Sequence, residues 1–321
     1  MRIVVALGGK AISEEPALLG RSALERLVRP AADALVDLVG EHELVVIFNL
    51  APSELGQIGL SGSAPTIFDG GAEVHSDVDK TSELAGYLLG RGVEANLEDD
   101  TPLAVLLTTM EIDGSHASFV TKQRLIGPTY SKKEAERLAE GRGWQIQRSK
   151  GGWRRVIPAP APTKVYQIKP IRWLIEKGTV VFCAIGGVFD AASANGKLDP
   201  DHNTIVDKDM ASEFLARELE ADLFVLATNT DAVYLDWGGP NQRKIRNGSP
   251  DELEAYEFDD DTIAPKVAAA CQFARETGNS AAIGALRDLG EIVEGKRGTT
   301  ISPYVEGVTS QEARLEKPSG N

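Results

Sequence analysis

Cysteine and histidine are both scarce in this 321-residue chain, and each scarcity removes a class of function. Two cysteines, Cys183 and Cys271, cannot make a disulfide framework, and both fall in apolar segments that read as buried, which suits a reducing compartment. The four histidines, His42, His75, His116 and His202, are dispersed without metal-ligand spacing, so structural or surface roles outweigh zinc binding. Neither a G-x-S-x-G elbow nor a Cys–His signature points to covalent catalysis. No apolar run approaches the roughly 18 to 20 residues of a membrane helix. Positive charge is also short: 34 Lys and Arg stand against 48 Asp and Glu, a net of −14, which leaves no electrostatic footprint for nucleic acid or an anionic membrane. Any anionic ligand must therefore be held by a few local cations. Met1-Arg2 runs directly into Ile3-Val4-Val5-Ala6-Leu7, with no charged leader, long apolar region or small-residue cleavage site, so a signal peptide is not expected and a cytoplasmic location is.

What is present is the composition of a globular protein, with 42% hydrophobic and 26% charged residues, in a chain long enough for one large α/β unit or two lobes. Short β-branched runs recur at Ile3-Leu7, Glu43-Phe48, Ala104-Thr108, Thr179-Ile185, Leu223-Thr228 and Ala281-Gly284. They alternate with amphipathic stretches at Arg21-Val39, Val78-Arg91, Lys132-Glu140, Tyr166-Lys177, Met210-Glu220 and Pro265-Thr277, several closed by a glycine such as Gly40, Gly178 or Gly278. This alternation predicts an α/β fold, and the near-continuous hydrophobicity of the strands predicts a mainly parallel sheet covered on both faces. Between Thr121 and Pro162 the rhythm breaks into a stretch rich in basic residues, Gly, Trp and Pro. It reads either as a solvated linker or as a small packed subdomain, and Trp144 and Trp153 favour the second. The residues from Gln311 to Asn321 read as a polar, frayed tail.

Four short motifs carry candidate chemistry. The first strand ends in Gly8-Gly9-Lys10 before a helical stretch, which is either a plain turn or a place where uncovered N–H groups and a cation meet phosphate. It matches neither G-x-G-x-x-G nor G-x-x-x-x-G-K-[ST]. In Asp207-Lys208-Asp209-Met210-Ala211-Ser212 a lysine between two aspartates opens a helix; the acids are either a charged N-cap or, for Asp209, a group that orients lysines toward a transferring phosphoryl group. Leu223-Thr228 runs into a polar turn and then Asp231-Ala232-Val233-Tyr234, at a strand end of the kind where open α/β sheets bind ligands. Lastly, Pro265-Lys266-Val267 opens another helix with Pro265 near its first position; the lysine opposes the helix dipole there, an arrangement that suits an anion-binding role.

Together with Gly127-Pro128-Thr129-Tyr130, Trp153-Arg154-Arg155-Val156-Ile157-Pro158-Ala159-Pro160 and the closing Gly298-Thr299-Thr300-Ile301, these motifs occur in the order seen in carbamate kinases, and from residue 1 to about 301 the chain resembles that branch of the amino-acid kinase superfamily. The resemblance implies an open three-layer α/β/α sandwich with a small inserted subdomain at about 121–162. It implies an acceptor half over 1–165, a nucleotide half over 166–310 and a tail over 311–321. It further implies a homodimer that uses ATP or ADP with Mg²⁺ to interconvert carbamate and carbamoyl phosphate. Lys208 and Lys266 match the lysines that contact the transferring phosphate, Asp209 the acid that organises them, and Gly8 and Gly9 the phosphate loop, here followed by Lys10 in place of asparagine. Asp207, Thr228, Asp231, Tyr234 and Pro265 fall to the nucleotide side. Arg124, with Lys122 nearby, stands where the family carries an excursion lysine, and Gly186-Gly187 remains of a longer glycine-rich run.

The departures cluster on the acceptor side. The family loop His-Gly-Asn-Gly-Pro-Gln-Val-Gly is here Asn49-Leu50-Ala51-Pro52-Ser53-Glu54-Leu55-Gly56, which removes close backbone approaches, a donor and an N–H useful for gripping a small oxyanion. Three readings follow: transfer to carbamate, transfer to another small carboxylate or carbamoyl compound, or a non-catalytic paralogue that scaffolds. Retention of the nucleotide-side lysines argues against the last. Asp259-Asp260-Asp261 reads as a solvated acidic face or a Mg²⁺ contact.

Overall fold

Arg2–Leu7 (β1) is an apolar, β-branched strand with hydrogen-bonded neighbours on both edges, and the rest of the fold is arranged outward from it. The structure is a computed structural model that describes residues 1–12, 21–48, 84–97, 101–112, 123–149, 151–190, 206–258 and 263–312. Beside β1 lie Glu43–Phe48 (β2) on one edge and Leu223–Thr228 (β9) on the other, both parallel to it. Beyond β2 come Val180–Asp190 (β8) and Leu103–Ile112 (β3), also parallel, and then the antiparallel Pro162–Val165 (β7). Beyond β9 come the parallel Ser280–Ala285 (β12) and the antiparallel Thr299–Ile301 (β13). Arg243–Gly248 (β11) follows, with Tyr234–Leu235 (β10) and Val308–Glu312 (β14) paired antiparallel to it. All six strands expected from the sequence are present. The sheet extends to Glu312, because β14 pairs with β11, so Gln311 and Glu312 belong to a strand where the composition suggested a frayed end.

Because both sheet faces are covered, alternate residues of the central strands enter separate cores. Val4, Val45, Val181, Cys183, Phe224 and Leu226 pack on one side. There they meet Ile168–Ile175 (α4), Lys208–Glu218 (α5) and Ile263–Thr277 (α6). Ile3, Val5, Val46, Phe48, Phe182 and Val225 pack on the other side, against Arg21–Val36 (α2), helical residues 84–94 and Leu289–Val293 (α7). The result is the expected three-layer α/β/α sandwich. Phe224 and Phe273 join sheet to helix with ring centroids 5.3 Å apart.

Cys183 and Cys271 are both fully buried, and burial pushes each thiol up to about 12. Neither sulfur is available as a thiolate at neutral pH. The folded protein is therefore expected to leave a chromogenic disulfide reagent uncoloured, with two thiols per chain reacting after denaturation; rapid labelling of the native protein would contradict this burial.

The excursion is a packed subdomain and not a linker. Gln123–Tyr130 (β4), Gln145–Ser149 (β5) and Gly152–Pro158 (β6) form a separate sheet in the order β4-β6-β5. Lys132–Arg142 (α3) lies against it, burying Ala135 and Leu138. The Ser131 hydroxyl accepts from the Glu134 N–H to start that helix, and Gly143, at φ 67°, ends it in the left-handed conformation. The Arg142 and Arg155 guanidinium carbons lie 5.2 and 4.8 Å from the Trp144 ring centroid. Among the described residues, no helix is long and apolar enough to cross a membrane.

Candidate active site

The chain enters the sheet at its centre, winds to one side through β2, β3 and β8, and then crosses to β9 on the other side of β1. That reversal makes the carboxyl ends of β1 and β9 a topological switch point, the place where open α/β sheets take ligands. Gly8 lies just past the end of β1, and a four-residue helical turn, Gly9–Ile12 (α1), follows, with the Ala11 N–H donating to the Gly8 carbonyl at 3.0 Å. The backbone of Lys10 lies in this turn.

The Asp207-Lys208-Asp209 motif combines a helix cap with the charges of the site. Asp207 is the N-cap of α5, its Oδ1 accepting from the N–H groups of Asp209 at 3.1 Å and Met210 at 3.0 Å. Lys208, in the first turn, crosses to the end of β1, where a Cβ placed on Gly8 would lie only 2.8 Å from its Nζ. Glycine at position 8 is what lets the ammonium lie against the end of β1. Asp209 turns the other way and accepts a 2.6 Å hydrogen bond from the Lys266 Nζ, with side-chain exposures of 6% and 3%. The lysine that Asp209 holds is Lys266. From the excursion, the Arg124 Nε lies 2.5 Å from the other Asp207 oxygen, Oδ2. Asp207, expected on the nucleotide side, is thus a helix cap and the seat of Arg124.

Among the described residues α6 runs from Ile263, with Pro265 and Lys266 close behind, near the positive end of the dipole. Proline is tolerated here because the first-turn N–H groups have no intrahelical acceptor to lose. Gly186 and Gly187 lie within β8, and the register slips between Thr108 and Thr109 so that Gly187 faces Thr109 while Gly186 is the extra residue of a bulge. Asn49, Ala51 and Lys122, like Asp259 to Asp261 and three of the four histidines, lie outside the described residues.

A second polar cluster follows β9. Thr228 is buried at the strand end, its hydroxyl donating to the Asn229 side-chain oxygen at 3.3 Å. Asp231 accepts from the Tyr234 hydroxyl at 2.8 Å and from the Lys244 Nζ at 2.7 Å. Burial pushes the Asp231 carboxyl up, but the hydrogen bonds from Lys244 and Tyr234 and the ammonium charge outweigh it and hold it below its ordinary value. Burial, and after it the Asp231 carboxylate, raises the Tyr234 phenol. Tyr234 also meets the exposed Trp237 edge-on, ring centroids 5.0 Å apart. The buried Thr299 hydroxyl fixes this turn, accepting from the Val233 N–H at 2.9 Å and donating to the Ile245 carbonyl at 2.6 Å. The sequence reading missed Lys244 and Trp237; the signal for Lys244 is the β10–β11 pairing, which sets it opposite Tyr234.

A cavity of about 630 Å³ opens at the opposite, amino-terminal ends of the strands, lined by residues including Arg2, His42, Glu43, Thr179 and Asp222. Its Arg2 is engaged, backbone N–H on Asp222 at 2.7 Å and guanidinium on Glu43 at 2.9 Å. The cations suited to phosphate are at the other pole, with Gly8, Lys208 and Lys266.

The sequence model of the amino acid kinase family matches residues 106–284. The carbamate kinase of Haemophilus influenzae is 36% identical over 320 residues, covering 96% of this chain and 99% of its own length. That of Escherichia coli K12 is 32% identical over 302 residues, covering 94% and 99%. A solved structure from Aeropyrum pernix K1 superposes with a TM-score of 0.74 at 26% identity, covering 94% of this chain and 99% of that one. The carbamate kinase from Giardia lamblia bound to AMP-PNP gives the same TM-score at 24% identity over 94% and 98%, a likeness of fold. The chain belongs to the amino acid kinase family, within its carbamate kinase-like group.

Proposed function

We propose that this phosphotransferase moves the γ-phosphoryl group of ATP to carbamate, giving ADP and carbamoyl phosphate, or catalyses the reverse, ATP-forming reaction. One phosphorus–oxygen bond to the ADP leaving group breaks as one to the carbamate oxygen forms. Such a transfer spreads negative charge over three equatorial oxygens, and catalysis consists of placing positive groups around them. The observation that carries this reading is the pair of lysines at two helix N-termini, Lys208 lying over Gly8 and Lys266 held by Asp209. A buried lysine whose ion pair fixes its position reaches the transition state with little reorganisation. Arg124, paired with the Asp207 that precedes Lys208, is the candidate third cation.

Magnesium is read here as arriving with the nucleotide. The carboxylates beside the lysines are committed, Asp209 to Lys266 and Asp207 to a helix cap and Arg124, and among the described residues no cluster of three or more His, Cys, Asp or Glu forms a metal cage. An ion that keeps its waters and is bound mainly through substrate phosphates is compatible with that arrangement. A homodimer in a cytoplasmic setting completes the proposal, and sedimentation velocity checks the first part.

The full-length likeness to carbamate kinases supports carbamate as acceptor. The altered loop Asn49-Leu50-Ala51-Pro52 favours a second reading, a larger carboxylate or carbamoyl acceptor with more atoms to grip. An ATP-forming assay with ADP and carbamoyl phosphate, run beside a panel of other acyl phosphates, separates the two. ATP from carbamoyl phosphate supports the first reading, and turnover only with another acyl phosphate selects the second. MgADP at about 100 times its Kd should stabilise the fold by about 2.7 kcal/mol. An unmoved thermal midpoint would count against any kinase.

A further inference from the structure

Charge in this chain is divided unevenly. Residues 121–162 contain ten Lys and Arg and three Asp and Glu, a net of +7, whereas the other 24 Lys and Arg and 45 Asp and Glu leave the remainder at −21. The substrates of a phosphotransferase are polyanions, so most of this molecule's surface repels them.

The positive charge sits on an ordered element. Lys132, Lys133, Arg137 and Arg142 on α3 and Arg148 on β5 are exposed, the Lys132 side chain at 68%. Glu134, Glu136 and Glu140 offset them only in part; the Lys132–Glu136 pair, at 3.7 Å and open to solvent, does little to quench the field. Lys132 and Lys133 occupy the first two positions after the Ser131 cap, where the helix dipole disfavours cations by about 0.3 to 1 kcal/mol each. Local stability therefore does not account for them. Inside the subdomain, Arg142 and Arg155 crowd the same Trp144 ring, and burial followed by the Arg142 charge lowers the buried Arg155 guanidinium from its ordinary value. The module meets the sandwich next to Lys208 through Arg124, which is seated on Asp207, the residue that precedes that lysine.

We propose that the basic excursion is an electrostatic receiving arm, which draws the nucleoside di- or triphosphate toward the Lys208–Lys266 crevice against the negative field of the remaining chain. The inference rests on the phosphotransferase reading above. Charge of one sign near a site opening raises association rates, and the effect fades as salt shortens the Debye length from roughly 20 Å toward 4 Å. The arm acts on capture and leaves the bound state to the residues of the crevice.

The test neutralises Lys132→Gln, Lys133→Gln, Arg137→Gln and Arg148→Gln together in the full chain. None of these residues belongs to the site, and glutamine keeps an unbranched polar side chain of good helix propensity at the three α3 positions. Association of N-methylanthraniloyl-ADP with Mg²⁺ is followed by stopped-flow fluorescence from about 20 mM to about 0.5 M NaCl. The expected result is an association rate constant about 3- to 10-fold below the parent at low salt, an unchanged dissociation rate, and convergence at high salt. The four corresponding glutamates should deepen the deficit. Equal association rates at low salt would overturn the proposal, and so would a deficit that persists at 0.5 M, because screening cannot leave a steering effect intact. If the parent protein binds no nucleotide at any salt, the phosphotransferase reading fails with it; binding with an unresponsive rate overturns the arm alone.

Discussion

Lys208→Ala is expected to lower kcat for phosphoryl transfer by about 10²- to 10³-fold, the loss seen when one preorganised donor is removed from a developing anion. The thermal midpoint should barely move. Lys208 is a half-buried first-turn residue of α5, alanine is a good helix former, and the cap that starts this helix belongs to Asp207. The decisive comparison is between steps: MgADP should still stabilise the variant while turnover collapses, because the ammonium is proposed to serve the charge that develops in transfer. A variant that turns over like the parent removes Lys208 from the mechanism. One that also unfolds several degrees lower shows that its work is structural.

The second large effect concerns the Asp209–Lys266 pair, which is nearly sealed from solvent. Deleting one member strands the other as an uncompensated buried charge, which typically costs about 3 to 5 kcal/mol. Asp209→Asn should therefore be destabilised and inactive, as should Lys266→Met. Replacing both at once, Asp209→Leu with Lys266→Met, should recover much of the lost stability, since two apolar side chains leave no stranded charge, yet restore no activity. Denaturant melts of the three variants check this. If the double variant is as unstable as the sum of the singles, the pair is not the coupled unit described; if it is active, Lys266 is not needed for transfer.

The parts of the fold legible in the sequence are those with a local cause. Ile3 to Leu7 and Leu223 to Ala227 declared buried parallel strands because each is apolar throughout, as a strand covered on both faces must be. Lys208 and Lys266 stood out because a cation at a helix start opposes the dipole, and Asp209 because it sits beside one of them in the chain. What stayed hidden depends on how distant segments meet. Nothing along the chain says that Arg124 takes Asp207 or that Lys244 takes Asp231; the first needs the excursion docked on the sandwich, the second the register of a hairpin. The bulge at Gly186 is likewise a property of two paired strands and has no single-strand signature beyond its glycines.

Asp207 divides its two oxygens between tasks, one capping α5 and the other seating Arg124. Thermodynamic linkage makes such a division reciprocal. Whatever biases the position of the excursion acts on the first turn of α5 through the coupling energy of this shared contact, and an event at that turn acts back on the excursion through the same energy. The helix that carries Lys208 is thereby informed of the state of a subdomain it does not belong to. Asn at position 207 would separate the two, since its carbonyl can still cap the helix while its neutral amide offers the guanidinium no counter-charge.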